Sequence, residues 1–322
     1  MLVNSRLAVI LPCYRSKGQV LGVIDKIGPE VSNIVVVDDK CPEMTGDYVA
    51  KSVSDDRVIV LYHEENQGVG GALITGYRHA LGLDADIVVK LDSDGQMDPA
   101  LIRTLIAPIV NGVADYSKGN RFFNPHDASA MPRARLFGNL ALSFLTKLSS
   151  GYWQVFDPTN GFTAIHKSCL EILPLHKINR RFFFESDMLY HLYLARSVVV
   201  DVPMTAQYGE ENSNLKIGSV LVEFSLKHCR NIIKRILYSY FLRDFSIASV
   251  NLVFGCVLLV FGLLYGGIGW YASAESGQAA TAGTVMVGAL PIIIGVQFLV
   301  SFLGYDYSAV PRIPIQQLTR LP

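Results

Sequence analysis

The chain carries no charged residue between Asp244 and Glu275, and none again between Glu275 and Asp306. Each gap exceeds the roughly 20 residues needed to cross about 30 Å of hydrocarbon. An ordinary solvated surface is therefore excluded for most of this region, and two membrane spans are expected, near Ala248–Tyr271 and Thr284–Tyr305. Net charge is also missing: 28 basic residues balance 28 acidic ones, so the molecule has no overall field that would favour nucleic acid. Cys13, Cys41, Cys169, Cys229 and Cys256 show no paired spacing suited to zinc or a redox couple. Their scatter fits a reducing compartment. The seven histidines likewise lack metal-ligand spacing. Met1–Leu11 has no charged segment followed by a long apolar core, so no signal peptide is expected.

Half of the residues are hydrophobic and the mean hydropathy is +0.32, but the excess is uneven. Up to about Asp201 short apolar runs alternate with polar turns; from Phe245 onward charge almost vanishes. Leu7–Leu11, Ile34–Val37, Val58–Leu61 and Ile87–Leu91 read as strands buried on both faces of a parallel sheet, with helix-forming segments between them. That alternation predicts a doubly wound α/β domain. Ligands of such sheets bind beyond the carboxyl ends of the strands, so Pro12-Cys13-Tyr14, Asp38-Asp39 and Asp92-Ser93-Asp94 are expected at one crevice. The expected organisation is a catalytic domain over 1–217, amphipathic juxtamembrane helices over 218–246, two spans over 247–305 and a tail over 306–322. In the juxtamembrane stretch, Phe224, Ile232, Ile233, Ile236, Leu237, Tyr240 and Phe241 recur at helical spacing. Lys227, Arg230, Lys234, Arg235 and Arg243 lie among them, available to lipid headgroups. The loop Ala272–Gly283 holds Glu275 but no basic residue, whereas Arg312 and Arg320 follow the second span. By the positive-inside rule, both ends of the hairpin face the cytosol.

Two carboxylates as close as Asp92 and Asp94 repel one another unless a cation compensates. A hard divalent ion does so, since Mg²⁺ typically combines one or two carboxylates with substrate phosphates. Asp94 is the leading ligand, with Asp92 and Gln96 behind it. Asp38 and Asp39 end another strand, where they either accept hydrogen bonds from a base or ribose or form a polar turn. Asn66-Gln67-Gly68-Val69-Gly70-Gly71-Ala72 opens a helix with residues small enough for amides to approach a ligand. It is not a dinucleotide fingerprint, because Leu73 stands where a third glycine is required, and no phosphate-loop lysine follows.

These segments together resemble the inverting family 2 glycosyltransferases of GT-A fold, in the polyprenyl-phosphate branch that includes dolichyl-phosphate mannosyltransferase and bactoprenol glucosyltransferases. The resemblance rests on Leu11-Pro12-Cys13-Tyr14, Val36-Val37-Asp38-Asp39, Asn66, Gly68, Ala72, Gly76 and Asp92-Ser93-Asp94-Gly95-Gln96. It extends to Gly119-Asn120-Arg121, Arg135, Asn139, Asp157–Phe162 and the two spans. It implies that Asp92, Asp94 and Gln96 hold Mg²⁺ or Mn²⁺ on the donor diphosphate. Pro12, Tyr14 and Asp39, with Asp38 and Gly68 nearby, are implied to contact the donor, a UDP- or GDP-linked sugar. Arg121 and Arg135, with Asn139, are implied to hold the phosphate of an undecaprenyl- or dolichyl-type acceptor, a role that suits the planar, permanently charged guanidinium. Glu185 and Asp187 occupy the position of an acidic motif that supplies a base to hydroxyl acceptors. Tyr208–Lys216 departs from the family's Gly-x-Ser-Lys, which leaves Lys216 as the basic residue available to the diphosphate. Neither Trp153 nor Trp270 follows an arginine, so the Gln-x-x-Arg-Trp motif of processive synthases is absent.

The implied protein is an integral component of a bacterial cytoplasmic membrane, with catalytic domain and both termini cytosolic, bound to the bilayer and self-associating. A phosphate monoester with a second pKa near ~6 is mostly dianionic at neutral pH, so it attacks an anomeric carbon without a protein base. Transfer to a hydroxyl of a lipid or lipid-linked saccharide is the alternative, as is a catalytically silent scaffold of the same fold.

Overall fold

The computed structural model describes residues 5–122, 133–157, 160–204 and 217–318. It divides into two compact units, one comprising residues 1–232 and 311–322, the other 233–310.

The first unit is built on seven strands: β1 (Leu7–Cys13), β2 (Asn33–Asp38), β3 (Val58–Tyr62), β4 (Ile87–Lys90), β5 (Tyr116–Asn120), β6 (Thr163–His166) and β7 (Val199–Pro203). Their order is β3-β2-β1-β4-β6-β5-β7. All pairings are parallel except those of β6, which runs antiparallel to both β4 and β5. Helices α1 (Val20–Ile24), α2 (Thr45–Ser52), α3 (Val69–Gly82) and α4 (Ile102–Val110) fill the first crossovers. Later come α5 (Arg133–Ser150), α6 (Lys167–Ile172) and α7 (Phe184–Leu194).

Leu7–Leu11 of β1 and Ile34–Asp38 of β2 are buried at every position, which requires cover on both sheet faces. One face contributes Val9, Leu11, Ile34, Val36 and Val89 to a core with Val23, Val49, Leu105 and Ile109 from α1, α2 and α4. On the other, α3 lies so close to β1 that a Cβ on Gly76 would stand 2.5 Å from Ile10. β3 differs from the expectation: among the described residues it is the edge strand of the sheet, and it is only half-buried.

Asp115 shows how the chain's end joins this unit. Wholly buried, it accepts the amide N–H of Val198 at 2.9 Å and those of Ile315 and Gln316 at 3.0 and 3.1 Å. The Gln316 amide donates to the carbonyls of Ile109 and Ala114. The short helix containing these residues (Ile315–Leu318) therefore belongs to the first unit, within the stretch expected from the sequence as a tail.

The helix α8 (Ile217–Leu237) begins in the first unit and ends in the second. Val222, Leu226, Ile233 and Leu237 form an exposed apolar stripe, each at least half exposed. His228, Asn231 and Arg235 lie on the buried face. This corrects one expectation: Arg235 is not available to headgroups. It is 1 % exposed and makes two hydrogen bonds to Asp306, at 2.5 and 3.0 Å, while the Tyr240 hydroxyl donates to the same carboxylate at 2.6 Å. A buried guanidinium needs such a partner.

The second unit is dominated by α9 (Ile247–Ser276) and α10 (Ala282–Ser308). Ser246 and Ser249 form a capping box at the start of α9, and Thr281 caps α10. Added Cβ atoms on Gly255, Gly262 and Gly295 would meet the facing helix at 2.7 to 2.8 Å, so the backbones approach along a seam of small residues. Only 22 % and 17 % of their most apolar windows are buried. A soluble core helix would hide such a surface, and lipid is the solvent that suits it.

Candidate active site

The site lies where β2, β1 and β4 end side by side. Tyr14 protrudes beyond β1, 47 % exposed. The Asp-Ser-Asp loop follows β4 and turns back at Gly95, whose φ of +77° favours glycine. Buried Ser93 joins the two loops: its hydroxyl donates to the Pro12 carbonyl and lies within hydrogen-bond distance of the Ser16 hydroxyl, both at 2.8 Å. With Ser93 drawn inward, Asp92 and Asp94 on either side are partly exposed. Asp94 Oδ1 accepts the Gln96 amide N–H at 2.9 Å, which sets the curvature of the loop.

Asp92 meets a cation that sequence reasoning overlooked. Lys90, 2 % exposed, places Nζ 3.1 Å from Asp92 Oδ1 and 3.0 Å from Glu185 Oε1. Burial opposes its charge, but the two carboxylates outweigh that effect and hold the ammonium above the ordinary lysine range. Glu185 thus belongs to the same cluster as the Asp-Ser-Asp loop. Asp187 does not. Its carboxylate accepts the Asn179 amide N–H at 2.8 Å and the Asn231 side-chain amide at 2.9 Å, so it anchors the segment before α7 and the helix α8.

The Asp38-Asp39 pair also has local duties. Asp38, 5 % exposed, accepts the amides of Cys41 and Gly46 at 2.7 and 2.6 Å and builds its own turn. These contacts are those of the polar turn, the second of the two roles open to Asp38. Asp39 accepts from Gln67 and Gly68 at 2.8 and 2.7 Å, and its Oδ1 lies 2.7 Å from His63 Nδ1. The amide of Gly68 is therefore engaged by Asp39, and that of Gly71 by the Arg180 carbonyl, so neither is directed at a phosphate. Gly68 is required for another reason: at φ +85° a Cβ would sit 2.7 Å from that same carbonyl.

At the end of β5, Arg121 pairs with buried Asp157 through Nε at 2.8 Å and Nη2 at 3.1 Å. Burial disfavours the Asp157 carboxylate, but this pairing and Lys118 overcome it and keep the carboxyl below its usual range. Lys118, also buried, is pushed down to about 8 by burial, against the pull of Asp157 and Asp201. Arg121 is thus held in a fixed orientation, about a quarter exposed. Lys216 and the side chains of Arg135 and Asn139 lie outside the described residues.

Residues 8–173 match the family described as Glycosyl transferase family 2. The chain belongs to that family and is a glycosyltransferase. It is 32 % identical to the UDP-N-acetylglucosamine–dolichyl-phosphate N-acetylglucosaminyltransferase of Methanococcus voltae over 67 % of this chain and 93 % of that protein. An undecaprenyl-phosphate mannosyltransferase of Micrococcus luteus is 28 % identical over 68 % and 90 % of the two chains. Among solved structures, glucosyl-3-phosphoglycerate synthase of Mycobacterium tuberculosis, in complex with uridine diphosphate, superimposes with a TM-score of 0.53 at 20 % identity, covering 72 % of this chain and 80 % of that one. The same synthase with Mn²⁺, uridine diphosphate and phosphoglyceric acid matches equally well. At that identity the likeness establishes the fold.

A divalent ion fits this glycosyltransferase only in a particular way. Among the described residues no three His, Cys, Asp or Glu side chains are grouped to hold a metal by themselves. Asp92 and Asp94 offer hard oxygen ligands at the partly exposed loop, which suits an ion completing its shell with phosphate and water. The signal for Lys90 was present in the sequence: it is the one charge in the run Ile87–Leu91.

Proposed function

We propose that this glycosyltransferase moves one sugar from a nucleotide donor to a polyprenyl phosphate at the cytosolic face of a membrane, with inversion at the anomeric carbon. The observation that carries the reading is the relative matched over 93 % of its length, whose name specifies a UDP-sugar donor and a dolichyl-phosphate acceptor. Two long apolar helices on the same chain support a lipid acceptor. Residues on both sides of the hairpin belong to one compact unit, which supports placing both hairpin ends on the same side of the bilayer. The exposed stripe of α8, with Arg230 and Lys234 beside it, suits an anionic headgroup layer. Self-association through the hairpin is part of the same proposal.

In this reading Asp92, Asp94 and Gln96 would hold Mg²⁺ or Mn²⁺, and the ion would supply charge stabilisation to the nucleoside diphosphate leaving group. Tyr14 and the Pro12 loop receive the nucleoside. Arg121, oriented by Asp157, and Arg135 hold the acceptor phosphate, with Lys216 on the donor side. The hydrogen bonding favours a phosphate acceptor over a hydroxyl: Asp187 anchors neighbouring segments and Glu185 faces Lys90, so neither stands as an unengaged base. A dianionic phosphate does not need one. Alignment and charge stabilisation remain as the protein's contribution.

The test is direct. Purified protein, a short polyprenyl phosphate, Mg²⁺ or Mn²⁺ and a panel of UDP- and GDP-sugars are incubated, and lipid products are identified by mass. A single polyprenyl-phosphate sugar is expected; no lipid product with any donor rejects the proposal.

A further inference from the structure

We infer that Lys90 is a resident cation of the acidic site, a positioning residue that withholds Asp92 from a bare divalent ion and makes metal capture depend on the donor diphosphate. The inference rests on the proposal that Asp92 and Asp94 receive metal and nucleotide together. Its basis is the contact between Lys90 Nζ and the two carboxylates, 3.1 Å to Asp92 and 3.0 Å to Glu185. The ammonium is confined there: a Cβ added to Gly161 would come within 2.1 Å of Nζ and 2.8 Å of Asp92 Oδ2. Glycine at that position is what leaves room for the pair.

An unpaired buried ammonium is strongly disfavoured, whereas here one cation faces two carboxylates. Lys90, Asp92 and Glu185 together carry a formal charge of −1, and Asp94 makes the loop more negative still. A bare divalent ion approaching Asp92 meets repulsion from Nζ at short range. An ion already bound to a nucleoside diphosphate has the opposite balance, because the phosphates bring more negative charge than the metal brings positive. Lys90 attracts that complex. One residue thereby disfavours the free metal, whereas the metal complex of a nucleotide sugar, whose two phosphate charges match those of the ion, escapes that repulsion.

The measurement uses full-length protein in detergent and follows free Mn²⁺ by electron paramagnetic resonance, with Mn²⁺ alone and with added UDP or GDP. Unmodified protein is expected to bind bare Mn²⁺ weakly and to bind it about tenfold or more tightly with the matching nucleotide. Lys90→Met is expected to bind bare Mn²⁺ about tenfold more tightly than the parent and to lose most of the gain from nucleotide. Lys90→Arg, which keeps the charge, should retain the parental pattern. Where Lys90→Met does not fold, Lys90→Gln tests the same loss of charge. Bare-metal affinity that is unchanged or weaker in the neutral variant overturns the inference. If unmodified protein binds no Mn²⁺ with either nucleotide, the metal-dependent function itself fails, a result separable from the first.

Discussion

Two acidic pairs end β2 and β4, the strands on either side of β1, and the fold treats them in opposite ways. Asp38 and Asp39 are buried, and backbone amides of Cys41, Gly46, Gln67 and Gly68 engage their carboxylates. Asp92 and Asp94 stay partly exposed, and the charge facing Asp92 is a lysine side chain. Amide donors fix a carboxylate in one geometry and cannot leave without unfolding the turn. An ammonium compensates charge while leaving the other oxygen open to an incoming ion. Strand-end acidic pairs thus divide into those held by backbone amides and those left partly exposed beside a side-chain charge, and the proposal assigns the chemistry to the second kind.

The comparison breaks most decisively at Asp94. Asp94→Asn is expected to lower the transfer rate by about 10³-fold, with thermal stability unchanged to within about 0.5 kcal/mol. A large loss of stability would place Asp94 with the structural pair. Asp38→Ala should do the reverse, destabilising the catalytic unit by about 3 kcal/mol as two buried amides lose their acceptor. Chemical denaturation reads that loss, and a variant of parental stability would remove Asp38 from the structural class.

Acid provides a third contrast, between groups charged in the fold and one built in neutral. Burial pushes the His228 imidazole down to about 4 from an ordinary 6.5, and Nδ1 lies 2.8 Å from the Ser149 hydroxyl. The unfolded chain therefore takes up this proton first as pH falls. Stability associated with His228 is complete above pH ~6.5 and declines toward pH ~4, by up to about 3 kcal/mol. In His228→Gln that part of the slope should vanish, as seen by comparing unfolding of parent and variant at both ends of the window.

The smallest expected effect is at Asp187. Asp187→Asn should cost about 1 kcal/mol of stability and change the transfer rate by less than about threefold. A loss above about 10²-fold would instead make Asp187 a working base and favour a hydroxyl acceptor.

Much of the architecture was legible in linear order. The apolar runs marked the first four strands, and the uncharged stretches marked α9 and α10, because burial in a sheet or in lipid each requires a characteristic length of apolar residues. The antiparallel β6 was not legible, since its run Thr163–His166 is short and its direction depends on the connections around it. Nor was the docking of Ile315–Gln316 on Asp115, which joins residues 200 positions apart.

The sequence by itself determined the two solvents of this protein, the family it belongs to and the placing of acidic motifs after strands, since composition, period and motif spacing are local properties. Tertiary structure alone decided which acid does what. Lys90 faces Asp92 and Glu185, Arg121 faces Asp157, and Arg235 turns inward to Asp306 because the packed chain brings distant charges within about 3 Å. Electrostatic energy falls with distance through space and is indifferent to distance along the chain.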